Sequence, residues 1–161
     1  VNTAAVLTIS DSSHQGRRED LSGPAIVSEL KSAGFDVVRT TVVPDEQELI
    51  RKLLIECSQI ARLVVTVGGT GIALRDVTPE ATMSVVERVV PGIAERMRAE
   101  GALKTPLAAL SRGVCGVRGQ ALILNLPGSP KAAVESLQAV LNVLPHALEL
   151  LGGNTSHADL S

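Results

Sequence analysis

Leu63-Val64-Val65-Thr66-Val67-Gly68-Gly69-Thr70-Gly71 is an aliphatic, β-branched run that stops on a glycine-rich tetrad. Without apolar–polar alternation, Leu63 to Val67 reads as a strand buried on both faces, as in a parallel sheet covered by helices. The tetrad reads in two ways. It is a plain tight turn, or a nest of inward-facing backbone N–H groups that lets a phosphorylated ligand approach closely. It lacks the Lys-Ser/Thr ending of a Walker A loop and the spacing of the dinucleotide fingerprint.

On the N-terminal side, Ala4 to Ser10 is a second apolar run ending at Asp11, and Ser12 to Asp20 is polar and reads as a loop. A helix follows, with Ser22 as cap, Pro24 in its first turn, and Ile26, Val27 and Leu30 on one face before Gly34. Asp36 to Val43 is a strand interrupted by Pro44. Asp45 to Glu48 then forms a capping-box pattern, ahead of Leu49, Ile50, Leu53, Leu54 and Cys57 on one helical face.

On the C-terminal side, Thr78-Pro79 starts a helix, with Thr78 as cap, that Pro91-Gly92 breaks. A further helix runs to about Gly101. Ser111 to Asn125 holds two strands joined near Arg118-Gly119. Ser129-Pro130 opens a long helix with a Val134, Leu137, Leu141, Leu144, Leu148, Leu151 stripe, which Pro145 kinks or splits. Strands alternating with helices give an α/β fold with a mainly parallel sheet. The expectation is one domain over residues 1–161, with its core at about 4–151 and a frayed tail at 152–161. Ligands in such sheets sit beyond the carboxyl ends of the strands, which gathers Asp11, Asp45, the glycine tetrad and Pro127-Gly128 on one edge.

Composition narrows the partners. A formal net charge of −2 offers no nucleic-acid footprint, and Phe35 is the only aromatic residue, so bases have no rings to stack on. Any flat heterocycle must be held by hydrogen bonds, arginine faces and aliphatic contacts. Cys57 and Cys115 are far apart and read as buried free thiols of a reducing compartment. His14, His146 and His157 form no zinc-like cluster. With no apolar stretch of membrane length and no signal peptide in view, the expected location is the cytoplasm, with no membrane partner.

Several loop residues carry alternatives. Asp76 makes a local turn, or holds Mg²⁺ beside substrate phosphates. Arg75 binds phosphate or faces solvent. Asp45 caps a helix, faces the site, or does both, and Asp11, between Ser10 and Ser12, is equally open. Ser111 is an ordinary loop hydroxyl or a ligand contact. In Asn125-Leu126-Pro127-Gly128-Ser129-Pro130, Ser129 caps the long helix, whose N-terminus also offers a second phosphate site, with Lys131 adding charge.

Taken in order and spacing, Ser10-Asp11-Ser12, Pro44-Asp45-Glu46, Gly68 to Gly71, Arg75-Asp76-Val77-Thr78-Pro79-Glu80, Leu110-Ser111-Arg112 and Asn125 to Pro130 resemble the Mog-type molybdopterin adenylyltransferases, whose domain also forms the G domain of gephyrin. The resemblance covers about Ala4 to Leu151. It implies a three-layer α/β/α sandwich, a homotrimer, and transfer of AMP from Mg-ATP to molybdopterin with release of pyrophosphate. It further implies hand-over of the product to a molybdenum-insertion enzyme. The aspartates matching Asp45 and Asp76 are then the catalytic acids, with Mg²⁺ on them. Ser10, Asp11, Gly68, Gly69, Thr70, Gly71, Ser111, Asn125, Pro127, Gly128 and Ser129 are the expected molybdopterin and ATP contacts. The alternative implied by the same family is a non-catalytic molybdopterin carrier or scaffold, as in MoaB-like or gephyrin-like domains.

Overall fold

A computed structural model describes residues 1–154. One six-stranded sheet runs through it, built from β1 (Thr3–Ile9), β2 (Asp36–Val43), β3 (Leu63–Val67), β4 (Arg88–Val89), β5 (Cys115–Arg118) and β6 (Ala121–Leu126) in the order β2-β1-β3-β6-β5-β4. β2, β1, β3 and β6 are parallel, while β5 and β4 are added antiparallel. β3 lies between β1 and β6, with Val65 opposite Val6 on one side and Leu124 on the other. All five of its residues are buried, as its lack of apolar–polar alternation requires, and the one polar member, Thr66, has its hydroxyl satisfied by Asn125.

Helices cover both faces, giving the expected three layers. Along β1, Ala4 and Val6 join one core with α2 (Ser22–Ser32), α5 (Pro91–Ala102), α6 (Pro130–Val140) and α7 (Leu144–Leu151). Ala5, Leu7 and Ile9 point to the other core, against α3 (Gln47–Ile60) and α4 (Thr78–Met83). Period-2 alternation thus feeds two separate cores from one strand. Cys57 and Cys115 are buried free thiols, and burial pushes the Cys115 thiol up to about 12.

Several local expectations are corrected. The segment after β1 is not all loop: Asp11–His14 forms a short helix, α1, whose first turn is capped by the Ser10 hydroxyl accepting from the Ser13 amide at 3.2 Å. Ser22 does not cap α2. Its hydroxyl donates to the Gly128 carbonyl at 2.6 Å, while Asp20 accepts from the Gly23 amide. Neither Asp45 nor Thr78 caps its helix: both side chains are drawn to more distant partners. The helix at Thr78 stops at Met83, and the stretch before Pro91 includes the edge strand β4, pinned by Glu87 and Val90 amides donating to Val117 and Cys115 carbonyls.

Other expectations hold. β5 and β6 are the anticipated strand pair, Ser129 caps α6 by accepting from the Ala132 amide, and Pro145 stands in the first turn of α7, where the long helix is split. Of the expected frayed tail, Gly152 to Asn154 are tied back by amides donating to α7 carbonyls, and residues 155–161 lie outside the described residues.

Candidate active site

The parallel strands deliver their following loops to one edge, and two clefts open there. One, of about 340 Å³, runs from Ser10, Ser13 and Arg18 past Asp45 and Gly68 to Ser129. The other, of about 510 Å³, is walled by Thr70, Gly71, Ser111, Asn125 and Pro127, with Met97, Leu107 and Leu110 as its apolar side. Gly69, Asp76, Gly128 and Ser129 line both. The clefts therefore meet at the glycine tetrad and the start of α6.

The tetrad is a turn with an open inner face. Gly68 and Gly69 have φ of +106° and +68°, the left-handed side that glycine adopts without a Cβ penalty. The Gly68 amide is taken by the Leu126 carbonyl at 3.0 Å. Among the described residues, the amides of Gly69, Thr70 and Gly71 donate to no protein acceptor, and neither do those of Gly128 and Ser129. Unclaimed consecutive amides at such a turn, facing a helix N-terminus, form an anion-binding concavity.

Two carboxylates stand against these glycines. A Cβ on Gly69 would lie 3.1 Å from Asp45 Oδ1, and one on Gly71 would lie 2.8 Å from Asp76 Oδ2. Asp45 Oδ2 accepts from the Asp11 amide at 3.0 Å, and Asp76 Oδ2 accepts from the Ala73 amide at 3.0 Å. Asp45 Oδ1 and Asp76 Oδ1 have no protein donor among the described residues. Partial burial raises the Asp45 carboxyl above its ordinary value, and the neighbouring charges of Asp11 and Asp76 push the same way against the Asp11 amide and Arg75.

Asp11 stands behind this wall rather than in it. Its Oδ1 accepts from the Asp45 amide at 3.0 Å, and Arg75 grips both its oxygens at 2.7 and 2.9 Å. That hydrogen-bonded guanidinium holds the Asp11 carboxyl below its ordinary value, against a smaller opposing effect of desolvation. Arg75 thus neither faces solvent alone nor projects into a cleft. Asn125 lines the second cleft, but its amide group is internal. Nδ2 donates to the Thr66 and Thr82 hydroxyls at 3.0 Å each, and Oδ1 accepts from the Val114 amide at 3.1 Å. Ser10 and Ser129 line the first cleft while capping their helices.

Sequence reasoning passed over Ser13, Arg18, Met97, Leu107 and Leu110, which complete the clefts. It assigned the Thr78 hydroxyl to a helix cap, whereas that group donates to the Gly68 carbonyl at 3.0 Å from a fully buried position. A buried threonine ten residues after a glycine turn is a usable signal only once the chain is known to fold back.

The profile of the family described as "probable molybdopterin binding domain" matches residues 5–146. The molybdopterin adenylyltransferase of Helicobacter pylori strain J99 is 44% identical over 153 residues, covering 92% of this chain and 87% of that protein. The molybdenum cofactor synthesis protein cinnamon of Drosophila melanogaster is 43% identical over 96% of this chain, which spans only 26% of that protein's length. The crystal structure of the molybdopterin biosynthesis enzyme MoaB from Thermus thermophilus superposes with a TM-score of 0.90 at 52% identity, covering 95% of this chain and 98% of that one. Sequence profile, relatives and three-dimensional likeness agree over nearly the whole length, and the chain belongs to the molybdopterin-binding domain family.

Proposed function

We propose that the chain is a molybdopterin adenylyltransferase: it joins AMP from Mg-ATP to the terminal phosphate of molybdopterin and releases pyrophosphate. The observation that carries this reading is the junction of the two clefts. In this reading each cleft takes one substrate, and unclaimed amides and two partly unclaimed carboxylates gather at the junction, where the two phosphate groups would meet. Relatives bearing that activity in their names, at 43–44% identity, support it.

An oxygen of the molybdopterin phosphate attacks the α-phosphorus of ATP. A new P–O bond forms, the bond to the bridging oxygen breaks, and pyrophosphate leaves with the electron pair. The attacking group needs no strong base, since a phosphomonoester's second pKa is about 6. What the reaction demands is alignment of two anions and compensation of their charge. The amides of Gly69, Thr70 and Gly71 on one side, and of Gly128 and Ser129 on the other, are fixed donors that need no reorganisation. Asp45 and Asp76 would suit Mg²⁺, which takes one or two carboxylates plus substrate phosphates, because each keeps one oxygen unclaimed and the charge of Asp76 raises the Asp45 carboxyl, a repulsion that a bound cation would relieve. Bound there, Mg²⁺ would neutralise phosphate charge during transfer.

The test is pyrophosphate release from Mg-ATP with and without molybdopterin, alongside Asp76→Asn. Release that requires molybdopterin and falls about 10²–10³-fold in the variant supports the reading. A folded variant with full activity removes Asp76 from the chemistry, and tight pterin binding without pyrophosphate makes the domain a carrier or scaffold. The same reading carries a homotrimer, which light scattering checks and a stable monomer contradicts. It also carries a cytoplasmic location and hand-over of the adenylylated product to a molybdenum-insertion enzyme.

A further inference from the structure

The loop from Gly71 to Asp76 presents a physical problem. It carries an aspartate facing both clefts, yet it has no apolar anchor: Ile72 is 69% exposed and Leu74 fully exposed. Its internal ties are the Asp76 amide donating to the Ala73 carbonyl at 3.0 Å and the Ala73 amide donating to the Asp76 carboxylate. Outward, Arg75 ties the far end of the loop to Asp11 at 2.7 and 2.9 Å, but through a long side chain that is 61% exposed. These bonds leave the Gly71 end of the loop without a tie, and they do not by themselves hold it to the fraction of an ångström that in-line transfer requires.

Arg112 supplies what is missing. Its Nε donates to the Gly71 carbonyl at 2.8 Å and its Nη2 to the Asp76 carbonyl at 2.7 Å, so one planar group bridges the two ends of the loop. Nη1 donates to both oxygens of Glu80, in α4, at 3.1 and 2.8 Å. Its own backbone amide donates to the Thr70 carbonyl at 2.8 Å. All three guanidinium nitrogens are committed to the protein, and Glu80 balances the charge. Nothing is left over for a substrate phosphate beyond a single N–H of the five. A lysine, with a point charge and no fork, cannot span the same three acceptors.

We infer that Arg112 is a positioning residue: oriented by Glu80, it fixes the Gly71–Asp76 loop and thereby the place of the Asp76 carboxylate and the neighbouring unclaimed amides, without touching substrate. The inference rests on the reading of Asp76 given above, but its structural half stands apart from that activity.

The experiment uses the full chain as wild type, Arg112→Lys, Arg112→Gln and Glu80→Gln, with two readouts. The first is amide hydrogen exchange without ligand. The amides of Ala73 and Asp76 should exchange about tenfold or more faster in both Arg112 variants, and less so in Glu80→Gln, while β6 amides stay at the wild-type rate. The second is pyrophosphate release. The Arg112 variants should lose about 10–100-fold in kcat, as when an outer-shell partner is removed, with KM for ATP and molybdopterin nearly unchanged and half-saturating Mg²⁺ raised. Glu80→Gln should fall between, which keeps the test open if an Arg112 variant does not fold. Loop exchange at the wild-type rate, or a rise in KM at constant kcat, overturns the inference; the second result would make Arg112 a substrate ligand. If the wild type releases no pyrophosphate, the adenylyltransferase reading fails, and the exchange rates alone decide whether Arg112 holds the loop.

Discussion

Asp11 and Asp45, 34 residues apart, each accept a hydrogen bond from the other's backbone amide at 3.0 Å. The pair locks the end of β1 to the end of β2, yet it sets two carboxylates side by side. Arg75 compensates only Asp11 directly, so Asp45 carries the strain.

Asp45→Asn should therefore stabilise the metal-free protein at neutral pH. Asp45 has its folded carboxyl raised, mainly by desolvation, so the folded state binds the proton more tightly than the unfolded one. Its ionisation lowers stability as pH rises above the unfolded value of 3.8 and through the folded value. The variant's thermal midpoint, measured in chelator, should exceed wild type at pH 7 and converge with it below the unfolded value. Turnover should fall about 10²–10³-fold, the usual exchange of stability for a functional charge. A variant less stable than wild type at every pH would show that the Asp11–Asp45 lock outweighs the repulsion.

Arg75→Gln tests the compensated partner, and its sign is opposite. The Asp11 carboxyl is lowered chiefly by the Arg75 hydrogen bond, so its contribution is present above the unfolded value of 3.8 and lost as pH falls through the folded one. Wild type should exceed the variant near neutrality and lose that advantage in acid. The ion pair is exposed, with Arg75 at 61%, which keeps the difference small and makes it shrink with salt. A urea midpoint difference that is independent of pH would trace the effect to packing instead.

What the sequence made legible follows the range of each signal. Leu63–Val67 announced a doubly buried strand because four of its five residues are aliphatic with no apolar–polar alternation, and Pro145 split a helix because its ring forbids continuation. Arg88–Val89 was invisible, since two exposed residues show no period. Asp45 with Glu48, and Thr78 with Pro79, carry sound local capping patterns, but Asp11 and the Gly68 carbonyl compete for those side chains from across the fold. Convergence of Asp11, Asp45, the tetrad and Pro127-Gly128 on one edge followed from topology alone, whereas a place for Asp76 beside them rested on the family resemblance. The grip of Arg112 did not, because its targets are mostly backbone carbonyls, which every residue carries.

The tetrad's glycines should separate fold from function. At Gly69 a Cβ would collide with Thr78 Oγ1, and φ of +68° is strained for alanine. Relief would displace the hydroxyl that satisfies the buried Gly68 carbonyl. Gly69→Ala should thus cost about 2–4 kcal/mol in urea unfolding, from left-handed strain and a lost buried partner. At Gly128 the added carbon would meet only Gly68 Cα at 3.4 Å, with no positive φ, so Gly128→Ala should unfold within about 0.5 kcal/mol of wild type. Its methyl would nevertheless stand where the two clefts join. Pyrophosphate release by Gly128→Ala should fall at least tenfold while its stability holds, because the group intrudes on the approach of one phosphate to the other. Full activity in that variant would move the meeting point of the substrates away from Gly128.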